Sequence, residues 1–207
     1  MKEESVNIPS GQLKLEGLMA RPAGDGAVHG AVVCHPHPLY GGSMHNNVVE
    51  AILEALWKLG FATLRFNFRG VGASDGEHSG GSGETDDTQA AMQFLLSQPG
   101  VASDAAIMAG YSFGAAVAMR AGAELKEVAT IAAIALPVGM GDFSSPAGSG
   151  KKIVLLAGDS DAYCPKRAIT ELAESCGAQL RIIDGADHFF GGCEDALTKA
   201  LAELLSA

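Results

Sequence analysis

The chain has 207 residues, 47% hydrophobic and 18% charged, enough apolar material for one α/β domain spanning residues 1–207 with a buried core. A net charge of −10 leaves no basic stripe to meet phosphates, which argues against nucleic acid or an anionic membrane as partner. The charged start, Met1-Lys2-Glu3-Glu4-Ser5, has no apolar segment behind it and no apolar run reaches the length of a membrane span, so a cytoplasmic protein without a signal peptide is expected.

Residues 5–20 alternate in places, as in Leu13-Lys14-Leu15-Glu16-Gly17-Leu18, and predict two antiparallel edge strands around a turn at Pro9-Ser10-Gly11. Gly30-Ala31-Val32-Val33-Cys34 is continuously apolar, as in a strand covered on both faces. From Asn46 to Leu59, Val48, Val49, Ile52, Leu53, Leu56 and Leu59 recur at helical spacing, and Gly60 stops them. A strand follows at Phe61–Phe66. Gly80–Gly83 reads as flexible and Glu84–Leu96 as a helix ended by Pro99-Gly100. Beyond residue 104 come a strand, a helix, a strand at Glu127–Leu136 and a loop from Pro137 to Gly150 that is too short for a folded lid. A strand at Lys152–Ala157, a helix at Pro165–Cys176, a strand at Gln179–Ile183 and a closing helix at Cys193–Leu205 complete the chain. Alternating strands and helices imply a mostly parallel sheet with helices on both faces. Its functional residues should stand on loops at the strands' C-terminal ends. Cys34, Cys164, Cys176 and Cys193 form no Cys-x-x-Cys pair and read as free thiols.

Gly110-Tyr111-Ser112-Phe113-Gly114 carries the strongest chemical signal. The apolar segment Ala105–Ala109 precedes it and the helix-forming Ala115–Met119 follows it. Strand, tight turn and helix form a nucleophile elbow, with the serine hydroxyl exposed at the tip. Gly110 and Gly114 are expected bare because the strand folds back onto the helix there. Gly72-Ala73-Ser74-Asp75-Gly76 has the same pattern, but no helix follows Ser74, and it reads as a loop.

A serine hydroxyl needs a base and a group to orient that base. Of six histidines only His188 follows Ser112. It lies just after the last predicted strand, in the chain order Ser, acid, His. Asp142 falls in the flexible loop, and Asp184 and Asp187 are too near His188 in sequence for an easy bridge. Asp159 and Asp161, directly after a strand, both qualify as the acid, the other being a turn former. Oxyanion donors are expected from the residue after the nucleophile, Phe113, and from the loop His35–Gly42. Pro36 and Pro38 have no N–H, which puts His37 first, with Leu39 or Tyr40 behind it. His35, His37 and His45 lack the carboxylate or cysteine partners of a metal site, so neither metal nor cofactor is expected.

Together these residues resemble the α/β-hydrolase superfamily over nearly the whole chain. Gly158-Asp159-Ser160-Asp161-Ala162-Tyr163-Cys164-Pro165 is similar to the family's acid loop, Gly-x-x-Asp-x-x-x-Pro, and the resemblance puts the acid on Asp161. His35–Met44 and Gly185–Phe190 resemble small bacterial lidless hydrolases near the dienelactone hydrolases. Those enzymes use Cys where this chain has Ser112, so their substrate does not carry over. The resemblance implies a serine hydrolase acting on a small-molecule ester or thioester. Its triad would be Ser112, Asp161 and His188, and the pocket would be shaped by Leu39, Tyr40, Tyr111, Phe113 and the loop from Pro137 to Phe143. A monomer or homodimer is expected. The competing reading is a binding module that keeps the fold without turnover; the complete Ser, Asp and His set argues against it.

Overall fold

A computed structural model describes residues 2–24, 26–143 and 148–207. Among these residues eight strands form one sheet in the order β1-β2-β4-β3-β5-β6-β7-β8. They are β1 Glu4–Ser10, β2 Leu13–Ala20, β3 Val28–Cys34, β4 Ala62–Phe66, β5 Val101–Tyr111, β6 Val128–Ile134, β7 Lys152–Gly158 and β8 Gln179–Ile183. The helices are α1 Asn47–Lys58, α2 Ser82–Leu96, α3 Phe113–Glu124, α4 Lys166–Cys176 and α5 Glu194–Ser206. Strands β3 to β8 run parallel, while β1 and β2 form an antiparallel hairpin that joins β4 at one edge. This is the α/β-hydrolase fold, and the expected fold class holds.

Strand periodicity divides the core in two. In β3, Val32 and Cys34 face one cluster with α2, α3 and α4, while Ala31 and Val33 face the other with α1 and α5. Both faces are covered, so the parallel strands read as unbroken apolar runs. Asn46 caps α1 by accepting the Val48 N–H at 2.9 Å, which fixes where the loop after β3 ends.

Three boundaries differ from expectation. The hairpin turns at Gly11 (φ +58°), with Pro9 and Ser10 still paired in β1. Strand β5 starts at Val101, because a bulge at Ala105 (φ +51°) carries the chain through a register shift that interrupts its alternation. Helix α2 begins at Ser82 rather than Glu84. The Glu84 carboxylate accepts N–H groups from Gly81 (2.7 Å) and Ser79 (2.9 Å), which orders the glycine run expected to be flexible. The loop between β6 and β7 contains a short 3-10 turn at Val138–Met140; its residues 144–147 lie outside the described residues.

Candidate active site

Ser112 stands between β5 and α3, capping the helix, with φ +55° and ψ −120°. A non-glycine residue pays about 1–3 kcal/mol for such a backbone, so its surroundings must hold it there. A Cβ on Gly110 would strike the Gly114 carbonyl and the Ala115 nitrogen, as the elbow requires. Gly114 is bare for a different reason: a Cβ there would strike the carbonyls of Cys34 and His35, at the end of neighbouring β3. The Ser112 N–H donates to the Ile134 carbonyl at 2.9 Å, tying the tip to β6.

His188 reaches Ser112 from the loop after β8. Its Nε2 lies 3.0 Å from Ser112 Oγ, and its Nδ1 lies 2.8 Å from Asp161 Oδ2. In the neutral imidazole a proton on Nδ1 meets the carboxylate, leaving the Nε2 lone pair for the serine O–H. The loop is held by three groups. Asp187 Oδ1 accepts the N–H groups of Phe189 (2.9 Å) and Phe190 (3.1 Å). Asn47 Nδ2 donates to the Phe189 carbonyl at 3.2 Å. The Tyr111 hydroxyl donates to the carbonyl of His188 itself at 3.0 Å.

The two candidate acids separate clearly. Asp161 is buried; its Oδ1 accepts the N–H groups of Tyr163 (2.8 Å) and Cys164 (2.9 Å), which turns Oδ2 toward His188. Asp159 Oδ1 instead accepts the Gly185 N–H at 2.9 Å and the Ser160 hydroxyl at 3.0 Å, stitching the loop after β7 to that after β8. Ser74, the serine of the second pentapeptide, is fully occupied. It donates to the Asn67 carbonyl at 2.7 Å and accepts the Glu16 N–H at 3.0 Å.

Phe113 is the first residue of α3, where an N–H has no partner within the helix. In the loop after β3, the Leu39 N–H donates to His37 Nδ1 at 3.2 Å and the Tyr40 N–H to the His37 carbonyl at 3.1 Å. Of the three candidate second donors, Leu39 and Tyr40 thus have their N–H groups engaged within the loop. His35 is a fully buried staple. Its Nδ1 lies 2.6 Å from the Pro36 carbonyl and its Nε2 accepts the Phe68 N–H at 3.0 Å, joining the loops after β3 and β4. Burial drives its pKa down to about 4, against the opposing pull of the Pro36 carbonyl and Glu84, so it is held neutral. Among the described residues, no group of three or more His, Cys, Asp or Glu side chains is placed to hold a metal ion.

The expected pocket needs correction. Tyr111 is 2% exposed and packs with Ile107 and Ala109 on the α1/α5 face. Strand alternation points it away from solvent, and it supports the His188 loop instead of lining a pocket. Phe113 and Phe143 are likewise buried in the core, whereas Leu39 and Tyr40 are 70% and 87% exposed. Sequence reasoning missed His78 and Glu84. The His78 ring lies 4.8 Å from that of His37 and 5.6 Å from that of Phe113, and its Nδ1 is 2.8 Å from the fully buried Glu84 carboxylate. This pair backs the side chains of both candidate oxyanion residues. Burial pushes the Glu84 pKa up, but the bonds from Ser79 and Gly81 outweigh it and the net shift is downward.

Fold and elbow together define the class: the chain is an α/β serine hydrolase. More narrowly, it belongs to the family described as serine aminopeptidase, S33, whose profile matches residues 29–147. It is 35% identical to an uncharacterized protein of Rickettsia prowazekii, over 99% of this chain and 89% of that one. A solved α/β serine hydrolase homologue from Coxiella burnetii superposes with a TM-score of 0.89 at 33% identity, covering 99% of this chain and 98% of the other. A lidless α/β serine hydrolase from Xanthomonas campestris gives 0.86 at 34% identity, covering 100% and 94%.

Proposed function

We propose that the protein hydrolyses small or medium carboxylic esters or thioesters through an acyl-enzyme on Ser112. The observation that carries this reading is the continuous hydrogen-bonded file from Ser112 Oγ through His188 to Asp161, with spacings of 3.0 and 2.8 Å. In the proposed cycle His188 Nε2 takes the Ser112 proton as Oγ attacks the carbonyl carbon. The Phe113 and His37 N–H groups receive the oxyanion. The tetrahedral intermediate collapses as the imidazolium returns the proton to the leaving oxygen or sulfur. Water, deprotonated by the same imidazole, then releases the acid and restores Ser112. Asp161 keeps its charge throughout and orients the ring.

An open site supports small or medium soluble substrates. The described part of the connection from β6 to β7 holds only the turn at Val138–Met140, and the Xanthomonas relative is lidless. Each methylene beyond the site should therefore add much less than the ~0.8 kcal/mol of full burial. The test is kcat/KM over p-nitrophenyl esters from acetate to palmitate, with an aminoacyl anilide alongside. The reading predicts a plateau at medium length and little anilide turnover. A continuous rise to palmitate, a jump at the substrate's micelle threshold, or a preference for the anilide contradicts it.

A further inference from the structure

Among the described residues the large hydrophobic side chains left exposed are Leu39, Tyr40, Met140, Tyr163 and Phe189. All five stand on connections leaving the C-terminal ends of β3, β6, β7 and β8, the edge that carries Ser112 and His188. Exposed apolar side chains gathered on the edge that carries the site are candidates for a binding surface, whereas ones scattered singly over a protein need no explanation. Two of them border the base directly. The Tyr163 ring centroid lies 4.8 Å from that of His188, and the Phe189 ring stands edge-on at 5.5 Å. Both rings remain well exposed, at 63% and 60%. Their backbones are fixed, Tyr163 through Asp161 Oδ1 and Phe189 through Asp187 and Asn47. Exposed aromatic rings on a fixed backbone make a wall formed before the substrate arrives.

Chemistry says which half of the substrate meets this wall. The imidazole must protonate the leaving oxygen as the first tetrahedral intermediate breaks, so that oxygen has to lie within hydrogen-bond reach of His188 Nε2. The alcohol attached to it then lies beside the imidazole, where Tyr163 and Phe189 are the exposed rings. We propose that Tyr163 and Phe189 form the leaving-group subsite and select esters of flat, apolar, uncharged alcohols, such as aryl-methyl alcohols. A net charge of −10 further disfavours an anionic alcohol. This inference rests on the acyl-enzyme reading above and adds the alcohol half of the substrate to it.

The experiment compares benzyl, ethyl and 2-hydroxyethyl acetate, which share one acyl group and hence one deacylation step, for the wild type, Tyr163→Ala, Phe189→Ala, Tyr163→Phe and Phe189→Leu. Wild-type kcat/KM should favour the benzyl ester by about tenfold, the effect of partly burying one ring. Each alanine variant should lose most of that ratio, with the benzyl ester falling far more than the other two, and the Phe and Leu variants should keep it. A wild-type ratio near one overturns the proposal. So does an equal fall on all three esters, since that would mean the rings only shield the Asp161–His188 pair. If the wild type hydrolyses some ester without discriminating alcohols, only the subsite fails; if it takes no ester and no fluorophosphonate label, the acyl-enzyme reading fails first.

Discussion

Ser112 and Ser74 occupy the same five-residue pattern, and their surroundings set them apart. Ser112 has a positive φ, an imidazole at 3.0 Å and a helix beginning behind it. Ser74 spends both hydrogen-bonding capacities inside its own loop. Local sequence was enough for that distinction, because a helix-forming run follows only one of the two. It was not enough to choose between Asp159 and Asp161, which both follow β7; the acid-loop resemblance points to Asp161, and in the structure it is Asp161 whose carboxylate meets His188 Nδ1. Asp161→Asn should lower kcat by about 10³–10⁴-fold, since the amide favours the wrong imidazole tautomer. Asp159→Asn should mainly loosen the contact with Gly185 and cost tenfold or less. Steady-state kinetics of the two variants decide the matter, and the reverse ranking would move the acid to Asp159.

At the scale of elements, the apolar runs of β3 to β8 and the spacing of α1 were legible because both sheet faces are covered. The direction of Tyr111 was readable from strand parity, since Ile107, Ala109 and Tyr111 share one side of β5, but its place beside Ser112 suggested a pocket residue. What Tyr111 supports is a tertiary fact: its hydroxyl meets a carbonyl 77 residues away. Tyr111→Phe keeps the buried ring and leaves the His188 carbonyl without that donor, a loss of about 1–3 kcal/mol. Thermal melting should register that loss. With a model ester, kcat should fall about three- to tenfold with little change in KM, because the variant misaligns the base rather than the substrate. An unchanged kcat would assign Tyr111 to packing alone. The His78–Glu84 pair was invisible for the same reason: nothing local announces that the loop after β4 folds back onto Phe113 and His37.

For the whole molecule, alternation of strands and helices gave the class of sheet but not the strand order, which depends on long-range pairing. The loops at the active edge are held by buried polar groups, and His35 makes them sensitive to acid. Its folded pKa is about 4, whereas an unfolded imidazole titrates near 6.5. Between those values the unfolded chain binds one more proton than the native one. Stability from this residue is therefore complete above about pH 6.5 and falls as the pH drops toward 4, with a slope of up to ~1.4 kcal/mol per pH unit. Urea unfolding of the wild type across that window should show the decline. His35→Gln should start less stable at neutral pH and show a flatter dependence; an equally steep slope in that variant would place the acid sensitivity elsewhere.

The central claim, that Ser112 is the nucleophile of a working hydrolase, is tested most directly by intact-mass analysis after treatment with a fluorophosphonate. The wild type and Ser74→Ala should each gain one adduct, located on the peptide that contains Ser112 in both. Ser112→Ala should gain none and lose several orders of magnitude in ester turnover. An adduct that persists in Ser112→Ala, or a wild type that takes up no label at all, would contradict the account.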